Sequence, residues 1–238
     1  PAVGKTAFAL NLGLAAAKST KKNIAIFSLE MPAEQLIMRM ISSLGQIDNK
    51  KLSTGKLENE DWKRFNEAIS ILADTNIYFH DAGGVTPAEI KAKCRRLATQ
   101  GDGLGLVIID YLQLIDSSSR YSGSRQQEVS EISRALKTMA LELEVPVIAL
   151  SQLSRSVEKR EDKKPVLSDL RESGSIEQDA DIVAALHAPD VETPVGDEVP
   201  NPIQLIILKH RNGPTKTIDL LFKKKTSTFL SIKRDGGN

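Results

Sequence analysis

The chain has 238 residues, 40% of them hydrophobic and 26% charged, as in ordinary globular proteins. Its formal net charge of +1 excludes an overall basic character, so any surface for nucleic acid must be local. The single cysteine, Cys94, excludes an internal disulfide and favours a reducing compartment such as the cytoplasm. No apolar run reaches the roughly 18–20 residues that span a bilayer, so we expect no membrane contact. No signal peptide is visible.

Hydrophobic periodicity predicts alternating helices and strands from the first residues onward. We expect helices over residues 7–18, 32–44 and 61–73, and a further helix with Thr86 as its cap. Strands are expected over residues 23–28, 77–79, 105–109 and 145–150. The run 105–109 is apolar throughout and ends at Asp110, which is typical of a central parallel strand, and 145–150 is expected to be a second buried strand.

The second half of the chain changes from alternation to strands alone. We predict a helix over 126–143, strands over 182–186, 203–208, 217–222 and 228–232, surface loops over 116–125, 155–165 and 189–202, and a frayed tail over 234–238. This order predicts one α/β domain over residues 1–233, with a mostly parallel central sheet flanked by helices and antiparallel closing strands. There is no internal repeat.

The chain opens on Pro1-Ala2-Val3-Gly4-Lys5-Thr6, which has the pattern of the second half of a phosphate-binding loop. Such a loop holds phosphates with backbone N–H groups and the positive end of a helix dipole. In that interpretation Lys5 reaches the β- and γ-phosphates and Thr6 binds Mg²⁺. The alternative, a helix that begins with an exposed lysine, stays open on these residues alone.

Two carboxylates follow predicted strands. Asp110 ends a buried strand at the sheet edge where ligands bind, and it suits a magnesium ligand, although it could merely cap a turn. Glu30 follows the strand 23–28 and could activate a water molecule, although it could equally flank the next helix near its positive end.

Polar residues near two later strands are weaker candidates. Gln152 follows the strand 145–150, where a neutral amide could sense the γ-phosphate or simply lie in a turn. Lys209 and Arg211 are two residues apart on an extended segment and point to the same side, which suits a triphosphate, and Asn212-Gly213 predicts a hairpin tip there. The polar segment 168–181 could contact phosphates or be a solvated loop.

Five blocks together resemble the C-terminal motor domain of bacterial replicative DNA helicases of the DnaB type, a RecA-like P-loop ATPase. They are residues 1–6, 27–31 (FSLEM), 107–114 (VIIDYLQL), 149–153 (ALSQL) with 169–181, and 209–214 (KHRNGP), in the order that the family has them. The blocks extend over nearly the whole chain, which makes their joint occurrence specific.

The resemblance implies a role for each matching residue. Residues 1–7, including Ala7, bind ATP, Thr6 and Asp110 hold Mg²⁺, and Glu30 is the catalytic base. Gln152 couples the nucleotide state to DNA. Lys209 and Arg211 act on the nucleotide of a neighbouring subunit, and Arg171, Glu172 and Gly174 contact single-stranded DNA. The resemblance further implies a cytoplasmic, nucleoid-associated homo-hexamer that moves 5′→3′, with a helicase loader and a primase as partners.

Two departures and two alternative functions accompany this resemblance. The front of the phosphate loop and its preceding strand are absent before Pro1, and His210 stands where we expect glutamine in relatives. A RecA-like recombinase would share the phosphate loop and Asp110, but the Arg-Glu-Ser-Gly loop (171–174) and the Lys209/Arg211 pair follow the helicase pattern. A nucleotide-gated DNA clamp would lack productive hydrolysis, which Glu30 argues against.

Overall fold

The computed structural model describes residues 3–117, 125–154, 157, 160, 162–170, 174–189 and 199–232. The helices in these ranges are α1 (Lys5–Ser19), α2 (Ala33–Gly45), α3 (Asn49–Thr54), α4 (Asn59–Ala73), α5 (Pro87–Ala98), α6 (Arg125–Leu143) and α7 (Gly174–Asp179). The strands are β1 (Asn23–Ser28), β2 (Ile77–His80), β3 (Leu104–Asp110), β4 (Val147–Ala149), β5 (Ile182–His187), β6 (Asn201–His210), β7 (Thr217–Lys223) and β8 (Thr228–Ser231). The predicted α/β fold is confirmed.

Strands β1 to β4 form a parallel sheet in the order β2-β1-β3-β4. β3 pairs with both β1 and β4, and the register places Ser28 beside Asp110 where the two central strands end. The prediction of a buried central strand over 105–109 is confirmed. The prediction that 145–150 is buried is wrong, because β4 lies at the end of the strand order and its Ala149 is exposed.

Helices cover both faces of the parallel sheet. Alternate residues of β1 and β3 face α5 and α6 on one side and α1 and α2 on the other, as the two-residue period of a strand requires. Phe27 and Ile109 belong to the first of these core clusters, whereas Ile26 and Ile108 belong to the second. This double cover explains why both central strands are almost continuously apolar.

Strands β5 to β8 are antiparallel and hydrogen-bond to one another in sequence order as a four-stranded sheet of their own. This sheet packs on the start of α1, where Ala7, Ile203 and Phe222 form a small buried cluster. Asn11 of α1 adds two polar links, since its amide donates to Ser227 O and its Oδ1 accepts from the Phe229 N–H. The antiparallel sheet therefore holds the first turn of α1 in place.

The predicted helices lie within two residues of their observed bounds, but α3 was not predicted. It has only six residues, which is too short for a helical period to appear in the sequence. Its cap is local, since the Asp48 carboxylate accepts from the Lys50 N–H at 2.7 Å. Among the described residues, no helix combines the length and the apolar character that crossing a bilayer requires. The predicted tail 234–238 and most of the predicted loops lie outside those residues.

Candidate active site

The ends of β1 and β3 and the first turn of α1 meet at one edge of the parallel sheet. Ser28 and Asp110 are register partners there, and the Leu29 N–H extends the pairing by donating to Asp110 O at 2.8 Å. Lys5 and Thr6 begin α1 directly above this edge and contact it through their side chains. The carboxyl ends of parallel strands are where open α/β sheets bind their ligands.

Gly4 shapes the chain where it enters α1. Its φ of 87° lies in the left-handed region, and no acidic side chain occupies the first turn of the helix. A Cβ at this position would lie 3.0 Å from the ring of Phe222 and 3.1 Å from that of Phe229, which are stacked on each other. Both backbone conformation and space therefore demand glycine, and the N-terminal N–H groups of α1 stay open to an anion.

Thr6 and Asp110 are joined directly, although 104 residues separate them in the chain. The Thr6 hydroxyl donates to Asp110 Oδ2 at 2.7 Å, and Asp110 is only 5% exposed. Burial raises the pKa of the Asp110 carboxyl, and this shift is opposed by the Thr6 hydrogen bond and by the positive charges of Lys5 and Arg39. The carboxylate is thus desolvated without a full counter-charge.

Burial also disfavours the charged form of Lys5. Burial lowers the pKa of its ammonium group, while the negative charges of Asp110 and Glu30 oppose that shift. Its Nζ donates to the carbonyl oxygen of Ser151 at 2.9 Å, just beyond the end of β4. Three elements far apart in sequence therefore converge on this ammonium, which is held ready for an anion between α1 and the sheet.

A hydroxyl and a carboxylate oxygen 2.7 Å apart form a donor set that suits magnesium, a hard cation that prefers oxygen ligands. Magnesium usually keeps several waters and takes only one or two protein ligands, the rest coming from phosphates. This explains why the described residues contain no group of three His, Cys, Asp or Glu side chains suited to a metal. Thr6 and Asp110 therefore fit the predicted metal role.

Glu30 is exposed, two residues beyond the end of β1. Its turn is fixed by the Ser28 hydroxyl, which donates to Met31 O at 2.6 Å. The Glu30 carboxylate lies close enough to Lys5 for its charge to oppose the lowering of the lysine pKa. An exposed carboxylate beside Lys5 is accessible to water, and its catalytic role stays a prediction.

Gln152 is exposed and directly follows Ser151, the residue to which Lys5 donates. The structure thereby brings the Gln152 backbone close to Lys5, and the role of its amide stays a prediction. Sequence reasoning missed Gln113, whose side chain contacts both Ser151 and the Gln152 N–H. It also missed Arg39 of α2. The only available signal for Gln113 was its location three residues after Asp110, in the turn that follows β3.

Lys209 and Arg211 lie on the antiparallel sheet, and their described contacts are with α7. The Lys209 ammonium donates to the backbone oxygens of Glu177, Gln178 and Ala180, at 2.8 Å for Ala180. Arg211 donates through Nη2 to Gln178 O at 3.0 Å. Both cations therefore point to the same side, as predicted, and cap the negative end of a helix in their own chain.

Asp181 completes this cation cluster. Its carboxylate accepts from Lys137 at 2.6 Å, and Arg211 Nε lies 3.6 Å from it. The hydrogen bond from Lys137 holds the Asp181 pKa below its ordinary value, with Arg211 and Lys209 acting in the same direction. The predicted hairpin is confirmed, since β6 and β7 are antiparallel on either side of Asn212-Gly213. The ring of His210 lies against Gly213, over that turn.

For several predicted site residues the structure gives few contacts or none. Pro1, Ala2, Arg171 and Glu172 lie outside the described residues. Gly174 is exposed at the first position of α7, with open space around its Cα. The buried Ala7 belongs to the apolar cluster under the loop, and Val3 packs against that cluster.

Comparisons with known proteins agree on one family. The family model described as "DnaB-like helicase C terminal domain" matches residues 1–231. The replicative DNA helicase DnaB of Geobacillus stearothermophilus is 55% identical over 234 residues, which are 98% of this chain and 51% of that protein. The chain thus spans about half the length of the curated relatives that it matches.

Solved structures give the same picture. A structure described as an ATPase domain superposes with a TM-score of 0.91 at 40% identity, covering 98% of this chain and 82% of that one. A DnaB-like replicative helicase, solved in a study of its interactions with primase, gives 0.91 and 40%, covering 98% and 56%. The RadB recombinase is similar only in fold, with a TM-score of 0.53 and 16% identity over 97% of this chain and 86% of that one.

Proposed function

This chain belongs to the DnaB-like helicase C-terminal domain family, and we propose that it is the ATP-hydrolysing motor of a replicative DNA helicase. In this proposal residues 1–233 act as one motor domain that moves 5′→3′ on single-stranded DNA and unwinds duplex at the replication fork. The observation that carries the proposal is the Thr6–Asp110 hydrogen bond of 2.7 Å beside the Lys5 ammonium. These three groups are what a magnesium–triphosphate needs at the start of a helix.

The phosphate loop binds the triphosphate. Backbone N–H groups at the start of α1 and the Lys5 ammonium neutralise the β- and γ-phosphates. When bound, Mg²⁺ would supply positive charge beside the phosphates. Thr6 and Asp110 hold that ion. The desolvated Asp110 carboxylate gains the counter-charge that the protein alone does not give it.

Glu30 acts in the chemical step. Its exposed carboxylate accepts a proton from the water molecule that attacks the γ-phosphate. Gln152 lies at the tip that follows β4, where its neutral amide can respond to the presence of the γ-phosphate. Its backbone directly follows the Ser151 carbonyl that Lys5 contacts, so Gln152 is next to a group whose partner changes when a triphosphate binds.

Lys209 and Arg211 act across a subunit boundary. They are carried by the antiparallel sheet, and their described partners are carbonyl oxygens and one carboxylate of their own chain, not the phosphate loop. A cation of this kind stabilises the charge of the transferring phosphoryl group when it reaches a neighbour's nucleotide. The site thus becomes complete in a homo-hexamer.

Arg171, Glu172 and Gly174 contact the backbone of the DNA strand, and the whole protein works with a loader and a primase in the bacterial cytoplasm. The DnaB-like replicative helicase of similar structure interacts with primase, which supports this partner. The composition supports contact through phosphate, since the chain is only 4% aromatic and offers few side chains for base stacking.

The proposal is tested by ATP hydrolysis and by unwinding of a forked duplex in the full-length protein. Lys5→Ala should abolish both activities, because it removes the charge that binds the phosphates. Lys18→Ala is the matched control, since Lys18 is exposed at the other end of the same helix. Unchanged turnover in Lys5→Ala would refute the nucleotide site.

Two further measurements separate the alternatives. A recombinase would form filaments on DNA, whereas the proposed motor forms closed rings in electron micrographs. A nucleotide-gated clamp would bind ATP and DNA without steady phosphate release. Rings that release phosphate continuously on single-stranded DNA would leave only the motor.

A further inference from the structure

We infer that Gln113 is a positioning residue for the nucleotide response, an inference that rests on the function proposed above. Gln113 lies in the short turn Leu112–Leu114 that follows β3, three residues after Asp110. Its side chain reaches across the sheet edge to the segment that follows β4. Among the described residues it forms no hydrogen bond with Lys5, Thr6 or Asp110, so its effect must pass through the residues that it holds.

The contacts of Gln113 are specific for an amide. Its Nε2 donates to the Ser151 hydroxyl at 2.8 Å, and its Oε1 accepts from the Gln152 N–H at a longer 3.4 Å. A side chain that both donates and accepts is needed to hold these two successive residues. The segment that follows β4 is therefore held at two places, by the pairing of β4 with β3 and by the contacts of Gln113 with Ser151 and Gln152.

The fastened segment is the one that contacts the nucleotide machinery. Ser151 O accepts from the Lys5 ammonium at 2.9 Å, so the carbonyl that holds this lysine belongs to a residue that Gln113 orients. When a triphosphate binds, Lys5 exchanges that carbonyl for phosphate oxygens. Gln113 then keeps Ser151 and Gln152 in position after the lysine has released the Ser151 carbonyl.

A second contact extends the chain of hydrogen bonds beyond the site. The backbone oxygen of Gln113 accepts from the Arg125 guanidinium at the first residue of α6. Arg125 is itself paired with Glu128 one turn later, at 2.7 Å. An unbroken series of contacts thus connects Lys5, Ser151, Gln113 and Arg125, joining the phosphate loop to the start of a long helix on the opposite face of the sheet.

The test is Gln113→Met in the full-length protein, which keeps the length of the side chain and removes both amide groups. Its matched control is Gln127→Met, on an exposed residue of α6. Steady-state ATP turnover gives kcat and KM, a nucleotide titration gives the number of sites, and thermal unfolding checks the fold. We expect kcat to fall roughly 10- to 100-fold, as for other residues that orient functional groups, with the number of nucleotide sites unchanged.

Ser151→Ala supplies the second variant, because it removes the hydroxyl but keeps the carbonyl that Lys5 contacts. If Gln113 acts through Ser151, the double variant loses less kcat than the product of the two single losses. Equal kcat values in Gln113→Met and Gln127→Met, or fully multiplicative losses in the double variant, would overturn the inference. So would a loss of nucleotide sites in proportion to kcat, which indicates unfolding instead of misplacement.

Lys5→Ala in the same series keeps this failure distinct from failure of the proposed function. If Lys5→Ala is inactive and Gln113→Met behaves like its control, the nucleotide site stands and only the positioning role falls. If Lys5→Ala retains wild-type turnover, the proposed site itself is wrong and the inference falls with it.

Discussion

Two regions of the molecule carry the candidate cations, and they differ in whether the charged side chains already have partners in their own chain. At the edge of the parallel sheet, Lys5, Thr6 and Asp110 already contact groups of their own site, and their charges are desolvated and incompletely balanced. At the antiparallel sheet, Lys209 and Arg211 are satisfied by carbonyl oxygens at the end of α7 and by Asp181. One region is prepared for a ligand, and the other is occupied by its own chain.

This difference predicts which region of the proposed motor can bind nucleotide without a neighbouring subunit. In the proposed motor, a triphosphate and its magnesium ion would supply the charges that Lys5 and Asp110 lack, so we expect binding there to require no other subunit. At the antiparallel sheet, an incoming phosphate must compete with backbone carbonyls for Lys209 and Arg211. In the proposed motor a neighbouring nucleotide can do this, because a phosphate adds a full negative charge that a neutral carbonyl lacks.

The largest expected effect comes from Arg211→Ala. Because a finger residue acts on the transition state, we expect ATP turnover to fall by about 10³–10⁵-fold. Nucleotide affinity should change little, since the phosphate loop of the same chain is untouched. Turnover assays and nucleotide titrations on the full-length protein measure both quantities, with Lys216→Ala on the same hairpin as control. A large loss of affinity with little loss of turnover would break the division between the two regions.

Glu30→Gln should have the next largest effect. It keeps the size of the side chain and removes its basicity, so turnover should fall by roughly 10²–10⁴-fold while ATP affinity survives. Glu34→Gln, in the exposed first turn of α2, is the matched control. If ATP binding weakens strongly and turnover per bound nucleotide is preserved, Glu30 is structural.

Asp110→Asn should have opposite effects on stability and on activity at the edge of the parallel sheet. Burial raises the Asp110 pKa, so the folded protein binds this proton more tightly than the unfolded chain, and its stability falls as pH rises from the unfolded pKa through the folded one. An amide removes that cost above this window and still accepts from Thr6. We therefore expect the melting temperature at neutral pH to be higher in Asp110→Asn than in the wild type.

The control for that prediction is the pH series itself. In acid solution below the unfolded pKa of aspartate, Asp110 is protonated in both states and the two melting temperatures should converge. ATP hydrolysis should be lost in Asp110→Asn at every pH. A variant that melts lower than wild type at neutral pH would show that the carboxylate stabilises the fold.

Much of the prepared end could be predicted from the sequence, because its determinants are local. A glycine before Lys5-Thr6 and an aspartate after an apolar strand can be recognised in the sequence itself. Parallel strands then bring their carboxyl ends to one edge of the sheet. The occupied end could not be predicted in the same way. Lys209 and Arg211 are visible, but their partners are backbone oxygens of Glu177, Gln178 and Ala180, which any residue type supplies.

The same reasoning accounts for Gln113, the short helix α3 and the edge strand β4. An amide that links two strand ends has no pattern of spacing, so only the fold reveals it. The exposure of β4 depends on strand order, which the apolar run 145–150 does not encode. Gln113 and the exposure of β4 were missed because both depend on pairing between distant segments, whereas α3 was missed because six residues are too short to show a helical period.

In the proposed motor, one active site combines Lys5, Thr6 and Asp110 of one chain with Lys209 and Arg211 of another. Full-length subunits carrying Lys5→Ala are mixed with subunits carrying Arg211→Ala, and formation of mixed rings is verified by mass spectrometry of differently tagged chains. Where Lys5→Ala supplies the finger and Arg211→Ala supplies the phosphate loop, both halves are intact. We predict that the mixture regains ATP hydrolysis that neither variant has alone. Verified mixed rings no more active than the separate variants would contradict the claim.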